Sequence, residues 1–294
     1  MSSKHYAEIE ASGRARLIPY QVPAWFYIAW NHRRPFFQDA RVRRALTIAI
    51  DREAIIAGIL GGYGEVANST IPPMLWNHDA EAGADLHYDP EAARRLLAAA
   101  GWHDRDGNGI LENDEGREFR FTLETSTAAG GDIGVEIPTR IQSDLHQVGI
   151  RAEIRVLEGA TLVEKFENPQ KRDFDAVLNG YVRDFRIDDS DFFHCQRRDR
   201  RLQVSGMCDA EIDRLLDTLP RIADRAAAKP LWQEYQRRLA QEQPYTFLYY
   251  PHWVAAIANR LRNVKPDVRG PWVGAARWWI LPRGRRTGQQ ENPR

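Results

Sequence analysis

The sequence has little cysteine, no net charge and no long apolar run. Its 41 basic residues balance its 41 acidic residues, so no general attraction to nucleic acid or to an anionic membrane is expected. No stretch of about 18 apolar residues occurs, which excludes a membrane-spanning helix. The cysteines, Cys195 and Cys208, can form one bridge at most and cannot make a disulfide scaffold. What remains is an ordinary globular composition over 294 residues, enough for one large domain or two small ones.

Sequence motifs of common catalytic and metal sites are missing as well. The eight histidines are scattered, and no two of them have the His-x-x-x-His spacing of a helical metal site. No Walker-type phosphate loop and no Gly-x-Ser-x-Gly elbow occur. His194 and Cys195 are neighbours, but a nucleophile and its base must converge in space, which adjacency does not predict. We interpret the arginine clusters as solvated faces; they comprise Arg41, Arg43, Arg44, Arg197, Arg198, Arg200 and Arg201.

Hydrophobic periodicity divides the chain into alternating strands and helices. Short or alternating apolar runs predict strands at 25–31, 118–125, 150–157, 173–180, 245–251 and 253–259. Apolar stripes at helical spacing predict helices at 39–60, 90–100, 137–148 and 209–219, the first and last capped by Asp39 and Asp209. A further helix follows Asp224, and Pro230 is expected to delay or kink it. Helices between strands indicate an α/β fold with a parallel or mixed sheet.

Five blocks of sequence resemble, in the same order, the extracellular solute-binding proteins of family 5. These are the dipeptide-, oligopeptide- and nickel-type receptors of ABC importers. The blocks are YIAWN…PFFQDARVRRALTIAIDREAII (27–56), GYGEVANSTIPP (62–73), YDPEAARRLLAAAGWHDRDGNGILE (88–112), LHQVGIRAEIRV with DFDAVLNGY (145–156 and 173–181), and SGMCDAEIDRLLD with PYTFLYYP (205–217 and 244–251). Together they extend over about residues 25–260.

The resemblance implies a periplasmic-binding-protein-like fold of type II, in which a mixed sheet flanked by helices forms one lobe. The family begins with a signal peptide and a large N-terminal lobe, and we expect that lobe to be missing here. The expected units are a poorly patterned segment (1–24), the second lobe (25–245), a returning segment that would complete the first lobe (246–282) and a disordered tail (283–294). In the absence of the first lobe, four tryptophans are expected to form an exposed apolar patch: Trp253, Trp272, Trp278 and Trp279.

The resemblance also implies a function in transport. Members of this family hold a solute between two lobes without covalent chemistry, and the membrane subunits of an ABC permease recognise the closed form. We therefore expect a monomeric, non-enzymatic receptor for a peptide or a similar small polar solute, with no nucleic-acid partner and no required cofactor. A periplasmic or extracytoplasmic location is implied, although residues 1–16 lack the apolar stretch of a secretory signal. The alternative is a fragment that binds no solute, or a calcium-stabilised domain without a transport function.

Candidate ligand residues follow from the loop after the strand at 173–180. In peptide-binding members an Asp in this loop pairs with the α-amino group of the ligand, and Asp184 lies at the matching place. The alternative for Asp184 is a solvated loop residue paired with a neighbouring arginine. Tyr181 and Phe185 flank it and are candidates for the pocket wall, unless they belong to the core. Asn31 is a candidate either for a hydrogen bond to the ligand or for a brace at the hinge.

An acidic loop, DRDGNGILENDE at 104–115, matches the pattern of an EF-hand calcium loop. The pattern predicts that oxygens of Asp104, Asp106, Asn108 and Glu115 surround one point. The alternative is a glycine-rich Asx turn that leads into the following strand, which is a recurrent feature of the family.

The resemblance bears on the cysteines too. Cys195 and Cys208 lie in a segment that the family often carries as an extracytoplasmic loop, where an oxidising compartment favours a bridge. The alternative is two free thiols in a cytosolic fragment.

Overall fold

The computed structural model describes residues 3–126, 133–183, 187–197 and 200–282. Its strands are β1 (Ala15–Gln21), β2 (Ala24–Trp30), β3 (Gly64–Val66), β4 (Arg120–Ser126), β5 (Arg151–Leu157), β6 (Ala176–Val182), β7 (Tyr245–Ala258), β8 (Leu261–Arg262) and β9 (Trp279–Ile280). Its helices are α1 (Ser3–Ala11), α2 (Ala40–Ile48), α3 (Arg52–Ala54), α4 (Pro90–Ala99), α5 (Ile133–Gln147), α6 (Gly159–Glu167), α7 (Ser190–Phe193), α8 (Ala210–Thr218) and α9 (Arg225–Glu242). The predicted alternation of strands and helices is confirmed.

One mixed sheet contains all of these strands except β8 and β9, which pair with each other. Its strand order is β1-β7-β2-β6-β4-β5, and β3 pairs with β7. Strand β4 runs parallel to β5 and β6, whereas β2 runs antiparallel to β6 and β7. The carboxyl ends of β4, β5 and β6 and the amino end of β2 therefore share one edge, which we call the carboxyl edge. At the opposite edge, the amino edge, β2 ends at Trp30 beside Ala176, where β6 begins. The expected mixed sheet flanked by helices is confirmed.

Each face of the sheet carries its own hydrophobic core, because successive side chains of a strand point to opposite faces. In β2, Ile28 and Trp30 belong to the core under α2, α4 and α5, whereas Trp25 and Tyr27 belong to the core under α8 and α9. All but Tyr27 of these four side chains are fully buried, and Tyr27 is 4% exposed. This two-sided burial explains why β2 is a continuous apolar run in the sequence.

The predicted single helix over 39–60 is wrong. Helix α2 ends at Ile48, and a new helical segment begins after Asp51, whose side chain accepts a hydrogen bond from the Ala54 N–H. The Asp51 N–H donates to Asp144 Oδ2 at 3.1 Å, so a residue of α5 fixes the break. Segment α3 then continues as a π-turn over Ile55–Ile59. The apolar stripe continues through the break because both pieces pack on the same core.

Pro230 does not delay the start of α9, although a delay is one of the two predicted outcomes. The helix begins at Arg225, directly after Asp224, which caps it by accepting a hydrogen bond from the Ala226 N–H. Proline at position 230 removes the bond to the carbonyl of Ala226, and that residue is exposed, so water can take its place. In the described part of the chain, no helix combines the length and the apolar character that a bilayer crossing requires.

The chain ends also differ from expectation. Residues 3–21, expected to be poorly patterned, form α1 and β1, and β1 pairs along its length with the second half of β7. The two strands predicted at 245–251 and 253–259 are one strand, β7, so the expected unit boundary at 245/246 falls inside it. The first half of β7 is buried against β2 and the second half is partly exposed. Residues 283–294 lie outside the described ranges.

Three of the four tryptophans expected to form an exposed apolar patch are exposed, and their grouping into one patch stays a prediction. Trp272 is 76% exposed and Trp279 is 53% exposed, and Trp253 is 46% exposed on β7. The rings of Trp272 and Trp278 contact each other with centroids 5.6 Å apart. Exposed aromatic side chains of this size are typical of surfaces that another polypeptide covers.

Arg43, interpreted from sequence as part of a solvated face, is instead buried. Its guanidinium donates to the carbonyls of Phe37 and Gln38 and, across the core, to those of Glu242 and Gln243 at the end of α9. Burial lowers the pKa of Arg43 to about 10. The guanidinium thus joins the carbonyl-rich end of one helix to the turn before another, an arrangement that the helix dipole favours.

Candidate functional site

Tyr181 lies at the carboxyl edge, near the end of β6. Its ring is partly buried and contacts Trp25 of β2, with centroids 5.0 Å apart, and Phe192 of α7, with centroids 4.7 Å apart. One side of the ring therefore belongs to the core, and the remaining surface is open at the edge. Loops that leave the carboxyl ends of strands are where open α/β sheets place their ligands. The position of Tyr181 is compatible with both interpretations of the sequence, core residue and pocket wall.

A buried ion pair follows Tyr181. Arg183 pairs through Nη2 with Asp189, and the two side chains are 4% and 0% exposed. Asp189 also accepts hydrogen bonds from the Thr70 hydroxyl and from the Tyr235 hydroxyl, the latter at 2.9 Å. Burial, with the charge of Asp189, raises the pKa of Tyr235 well above its ordinary value, so it stays a donor. The guanidinium of Arg183 is thereby fixed at one corner by a carboxylate that is itself held in place.

The other two guanidinium nitrogens of Arg183 do not pair with Asp189. Nε and Nη1 are buried and have no hydrogen-bond partner in the described part of the chain. The guanidinium lies over the ring of Trp25, 4.9 Å from its centroid, which is a favourable cation–π geometry. Asp184 and Phe185, the predicted anchor and its flanking aromatic, lie outside the described residues.

Sequence reasoning missed Arg183 and Asp189. Four aspartates occur between positions 184 and 191, and nothing in the local pattern distinguishes the one that is buried. The choice of Asp189 depends on Thr70 and Tyr235, which come from distant parts of the chain. A local signal for Arg183 is its place directly after a strand that is apolar over residues 176–178.

Asn31 lies at the amino edge, away from Tyr181. It is 2% exposed, and its Nδ2 donates to the Phe174 carbonyl at 2.8 Å. Its Oδ1 accepts a hydrogen bond from the Arg33 N–H at 3.2 Å. Because β6 runs between the two edges, about 20 Å separates Asn31 from Tyr181 at ~3.3 Å per residue. The structure therefore does not bring these two candidate ligand residues together.

A small cavity lies between β4, β6 and the start of α5 at the carboxyl edge. Its volume is about 10 Å³, and it is partly open to solvent. Its lining residues are Phe26, Thr125, Gly134, Ile137, Leu178, Asn179 and Tyr249. Phe26 stacks on Tyr249 with centroids 4.8 Å apart and also lies against Gly180, where an added Cβ would come within 2.8 Å of the ring. Thr125 is fully buried, and its hydroxyl has no hydrogen-bond partner among the described residues.

The acidic loop brings together a different set of residues from the one predicted. Oxygens of Asp104, Asp106 and Glu112 lie within 4.8 Å of one another, and Glu115 is not part of this group. The reason is a two-residue bridge, in which His103 and Glu112 exchange backbone hydrogen bonds at 3.0 and 2.8 Å and close the loop early.

The predicted turn in this loop is present. Asp104 accepts hydrogen bonds from the N–H groups of Gly107 and Gly109, Asp106 accepts one from the Asn108 N–H, and Asn108 accepts one from the Ile110 N–H. Positive φ angles of 77° and 86° at Gly107 and Gly109 make these tight turns possible. Calcium binding by this loop stays a prediction.

Cys195 and Cys208 form a disulfide bond. The bond joins the segment after α7 to Cys208, the residue directly before Asp209, which caps α8. The Cys195 N–H also donates to Asp213 of α8 at 2.9 Å. The bridge and this hydrogen bond together hold the segment after the carboxyl edge against the body of the lobe.

An α/β lobe whose carboxyl edge carries a partly exposed aromatic ring over a buried ion pair is compatible with a solute-binding lobe. The comparison with known families agrees with this class, because residues 3–200 match the model for bacterial extracellular solute-binding proteins, family 5 Middle. The chain belongs to this family.

Individual relatives extend the comparison over nearly the whole chain. The oligopeptide-binding protein AppA of Bacillus subtilis is 33% identical over 276 residues, which are 94% of this chain and 50% of that protein. The dipeptide-binding protein of Pseudomonas aeruginosa is 28% identical over 85% of this chain and 45% of its own length. The structure of Bacillus subtilis AppA in complex with a nonapeptide has a TM-score of 0.83 and 32% identity, covering 95% of this chain and 55% of that one. The chain spans about half the length of the curated relatives it matches.

Proposed function

We propose that this chain contributes to the substrate-binding component of an ABC-type importer, with peptides as its ligands. The observation that carries the proposal is the relation to AppA, a protein named for oligopeptide binding and solved with a nonapeptide. That relation extends over 94% of the chain, so it includes the carboxyl edge as well as the cores. The relatives named here are binding proteins, and binding alone explains the function without a covalent step.

The side chains of the carboxyl edge suit such a ligand. The open part of the Tyr181 ring offers a flat apolar surface for a peptide, and Trp25 and Phe192 hold that ring in place. Because these rings and the Arg183–Asp189 pair are fixed before binding, little conformational entropy is lost when the ligand arrives. Asp184 remains our candidate for the partner of the peptide ammonium group, a charge-assisted hydrogen bond that replaces lost hydration.

A second lobe, an ABC permease and an extracytoplasmic location complete the proposal. The ribbon formed by β1 and the second half of β7 leads away from the buried cores, and Trp253 lies on it. Trp253, Trp272 and Trp279 are exposed apolar side chains of the kind that a lobe–lobe contact covers. The description of the family as extracellular supports the location. Nothing in the comparisons favours the alternative of a fragment without ligand binding.

Calorimetry with peptides of two to nine residues tests the proposal. We expect saturable binding to the purified chain, and a loss of about tenfold in affinity when Tyr181 is changed to Leu. Tyr88→Leu is the matched control, since Tyr88 is 37% exposed and lies outside the carboxyl edge, and its affinity should equal that of the unchanged chain. Absence of binding to every peptide, or equal losses in the two variants, would contradict the proposal.

A further inference from the structure

The disulfide bond between Cys195 and Cys208 lies where a reductant can reach it. Cys208 is exposed and Cys195 is partly exposed. A thiolate opens a disulfide by attacking one of its sulfurs, so the rate of opening depends on access to that sulfur. Exposed bridges are for this reason the ones that respond to thiols, whereas buried bridges persist. This bridge is therefore available for reduction in the folded chain.

The bridge lies beside α7, a helix of a single turn. Helix α7 has four residues, and a helix of that length is not stable through its own hydrogen bonds. Contacts at its two ends hold it instead. Before its first residue, Asp189 pairs with Arg183. After its last turn, Cys195 is joined to Cys208, and the Cys195 N–H donates to Asp213 of α8 at 2.9 Å. One end of α7 therefore depends on a covalent bond that a thiol can open.

Helix α7 carries Phe192, which supports the proposed binding surface. The Phe192 ring contacts the rings of Tyr181 and Trp25, with centroids 4.7 and 5.9 Å away. Tyr181 is the candidate ligand residue whose ring is partly open at the carboxyl edge. A displacement of α7 would remove one of the two rings that fix Tyr181. Ordering the Tyr181 ring would then cost conformational entropy when the ligand binds.

Opening the bridge leaves only weaker ties at this end of α7 among the described residues. Besides the hydrogen bond from the Cys195 N–H, His194 Nε2 lies 3.5 Å from Asp217, whose side chain is 61% exposed. Polar contacts to such exposed groups contribute little, because water competes for them. Phe193 is fully buried in the core and keeps its place there. The expected consequence is a local loosening of the segment and not an unfolding of the lobe.

We propose that the Cys195–Cys208 bridge is a redox switch for ligand binding: the oxidised chain binds its ligand tightly and the reduced chain binds it weakly. The inference rests on the proposed peptide function and adds a regulation of the same site. The reductant is a dithiol. Its first thiolate attacks the Cys208 sulfur, the S–S bond breaks, and Cys195 leaves as a thiolate that takes up a proton. The second thiol of the reductant then displaces Cys208 as a thiol, so two electrons pass to the bridge and the reductant leaves as a disulfide.

Amide hydrogen exchange, measured by mass spectrometry, tests the structural part of the proposal without any peptide. The purified chain is compared before and after treatment with dithiothreitol. Exchange in residues 189–197 should become about fivefold faster on reduction, because the covalent tie at the end of α7 is lost. Exchange in β2 is the internal control and should stay unchanged, since β2 pairs with a strand on each side within the sheet.

Calorimetry with a cysteine-free peptide that binds the oxidised chain tests the functional part. The reduced chain should bind this peptide about tenfold more weakly, and reoxidation should restore the affinity. A variant with Cys195→Ser and Cys208→Ser should bind like the reduced chain, with or without dithiothreitol. This variant is the control for the reductant, since it has no bridge to open. Circular dichroism should give the same helix content for the oxidised and reduced chains.

The results that would overturn the inference differ from those that would overturn the proposed function. Equal affinities of the oxidised and reduced chains would refute the switch alone. Unchanged exchange in residues 189–197 would refute it as well, because the bridge would then not control α7. A loss of helix content on reduction would show that the bridge serves folding and not recognition. A chain that binds no peptide in either state would instead refute the proposed function, and this inference with it.

Discussion

The amino edge and the carboxyl edge of the sheet carry similar polar side chains but use them differently. At the amino edge, Asn31 bonds to the backbone of Phe174 and Arg33, and Arg34 pairs with Asp175 at 3.0 Å. At the carboxyl edge, Arg183 has two buried nitrogens without an acceptor, and the buried Thr125 hydroxyl has no partner in the described structure.

Whether a polar group is paired within the chain bears on its role. Polar groups that are satisfied by their own chain fix a fold and leave nothing for a ligand, whereas buried unsatisfied groups cost stability unless another molecule pairs with them. Proteins retain such costs mainly at sites of function. Asn31 braces the amino edge through its backbone contacts, whereas ligand binding at the carboxyl edge is our proposal, and each role can be tested separately.

The largest effect is expected from Asp189→Asn. This change leaves the buried Arg183 without its counter-charge, and the free energy of unfolding should fall by about 3 kcal/mol. The control is Asp173→Asn at the amino edge, where the carboxylate is 83% exposed and pairs with Arg34, so a loss below about 1 kcal/mol is expected. Urea denaturation measures both. Equal losses would show that the buried pair contributes no more than a surface one.

Asn31→Ala should separate the two edges by function. It removes hydrogen bonds to the Phe174 carbonyl and the Arg33 N–H, so a loss of about 2 kcal/mol in the free energy of unfolding is expected. Peptide affinity, measured by calorimetry well below the melting temperature, should stay unchanged, because the carboxyl edge is about 20 Å away at ~3.3 Å per residue. A loss of affinity larger than that of Tyr181→Leu would reverse the assignment and make Asn31 a ligand residue.

The sequence predicts most of the central architecture because burial repeats with the period of each element. Strand β2 is apolar throughout since it is covered on both faces, and α8 carries its stripe after a capping aspartate that the structure confirms. These signals are local, so they can be recognised without any knowledge of tertiary contacts. The resemblance to family 5 adds the mixed order of the strands, which periodicity alone cannot provide.

The predictions from sequence that were wrong share one cause: each depends on a contact with a residue that is distant in the chain. The break after α2 depends on Asp144, 93 positions from Asp51, and the burial of Arg43 depends on carbonyls about 200 positions away. The candidate site has the same limit. Tyr181 is a candidate because of its place after a predicted strand, whereas Asp189 gains its hydrogen bonds from Thr70, 119 positions earlier in the chain, and from Tyr235. Which of several aspartates is buried is a property of the folded structure.

The acidic loop differs from both edges, because its carboxylates accept hydrogen bonds from their own backbone and still lie close together. If it binds calcium, 10 mM Ca²⁺ should raise the melting temperature, by the equivalent of about 1.4 kcal/mol at ten times the dissociation constant. Glu112→Gln should abolish this shift and Glu115→Gln should not, since only Glu112 lies beside Asp104 and Asp106. No shift with the unchanged chain, measured by thermal unfolding in chelator and in Ca²⁺, would end the calcium hypothesis.

The smallest effect is expected at Asp39, whose carboxylate charge contributes to folding stability and has no proposed role in binding. Hydrogen bonds from the Arg41 side chain hold the pKa of Asp39 below its ordinary value, despite partial burial. A carboxylate whose pKa is lower in the folded state stabilises the fold above its ordinary pKa of about 4, and this contribution is lost as the pH falls through the folded value. Asp39→Asn keeps a good N-cap but removes the charge, so the melting temperature should fall by less than about 2 °C at pH 7, and the difference from the unchanged chain should shrink as the pH falls below about 4. Asp39→Ala also loses the cap and should stay less stable both at pH 7 and below about pH 4. An Asp39→Asn difference that is the same at pH 3 and pH 7 would show that the charge of Asp39 contributes nothing, and that the carboxylate acts through its shape as a cap alone.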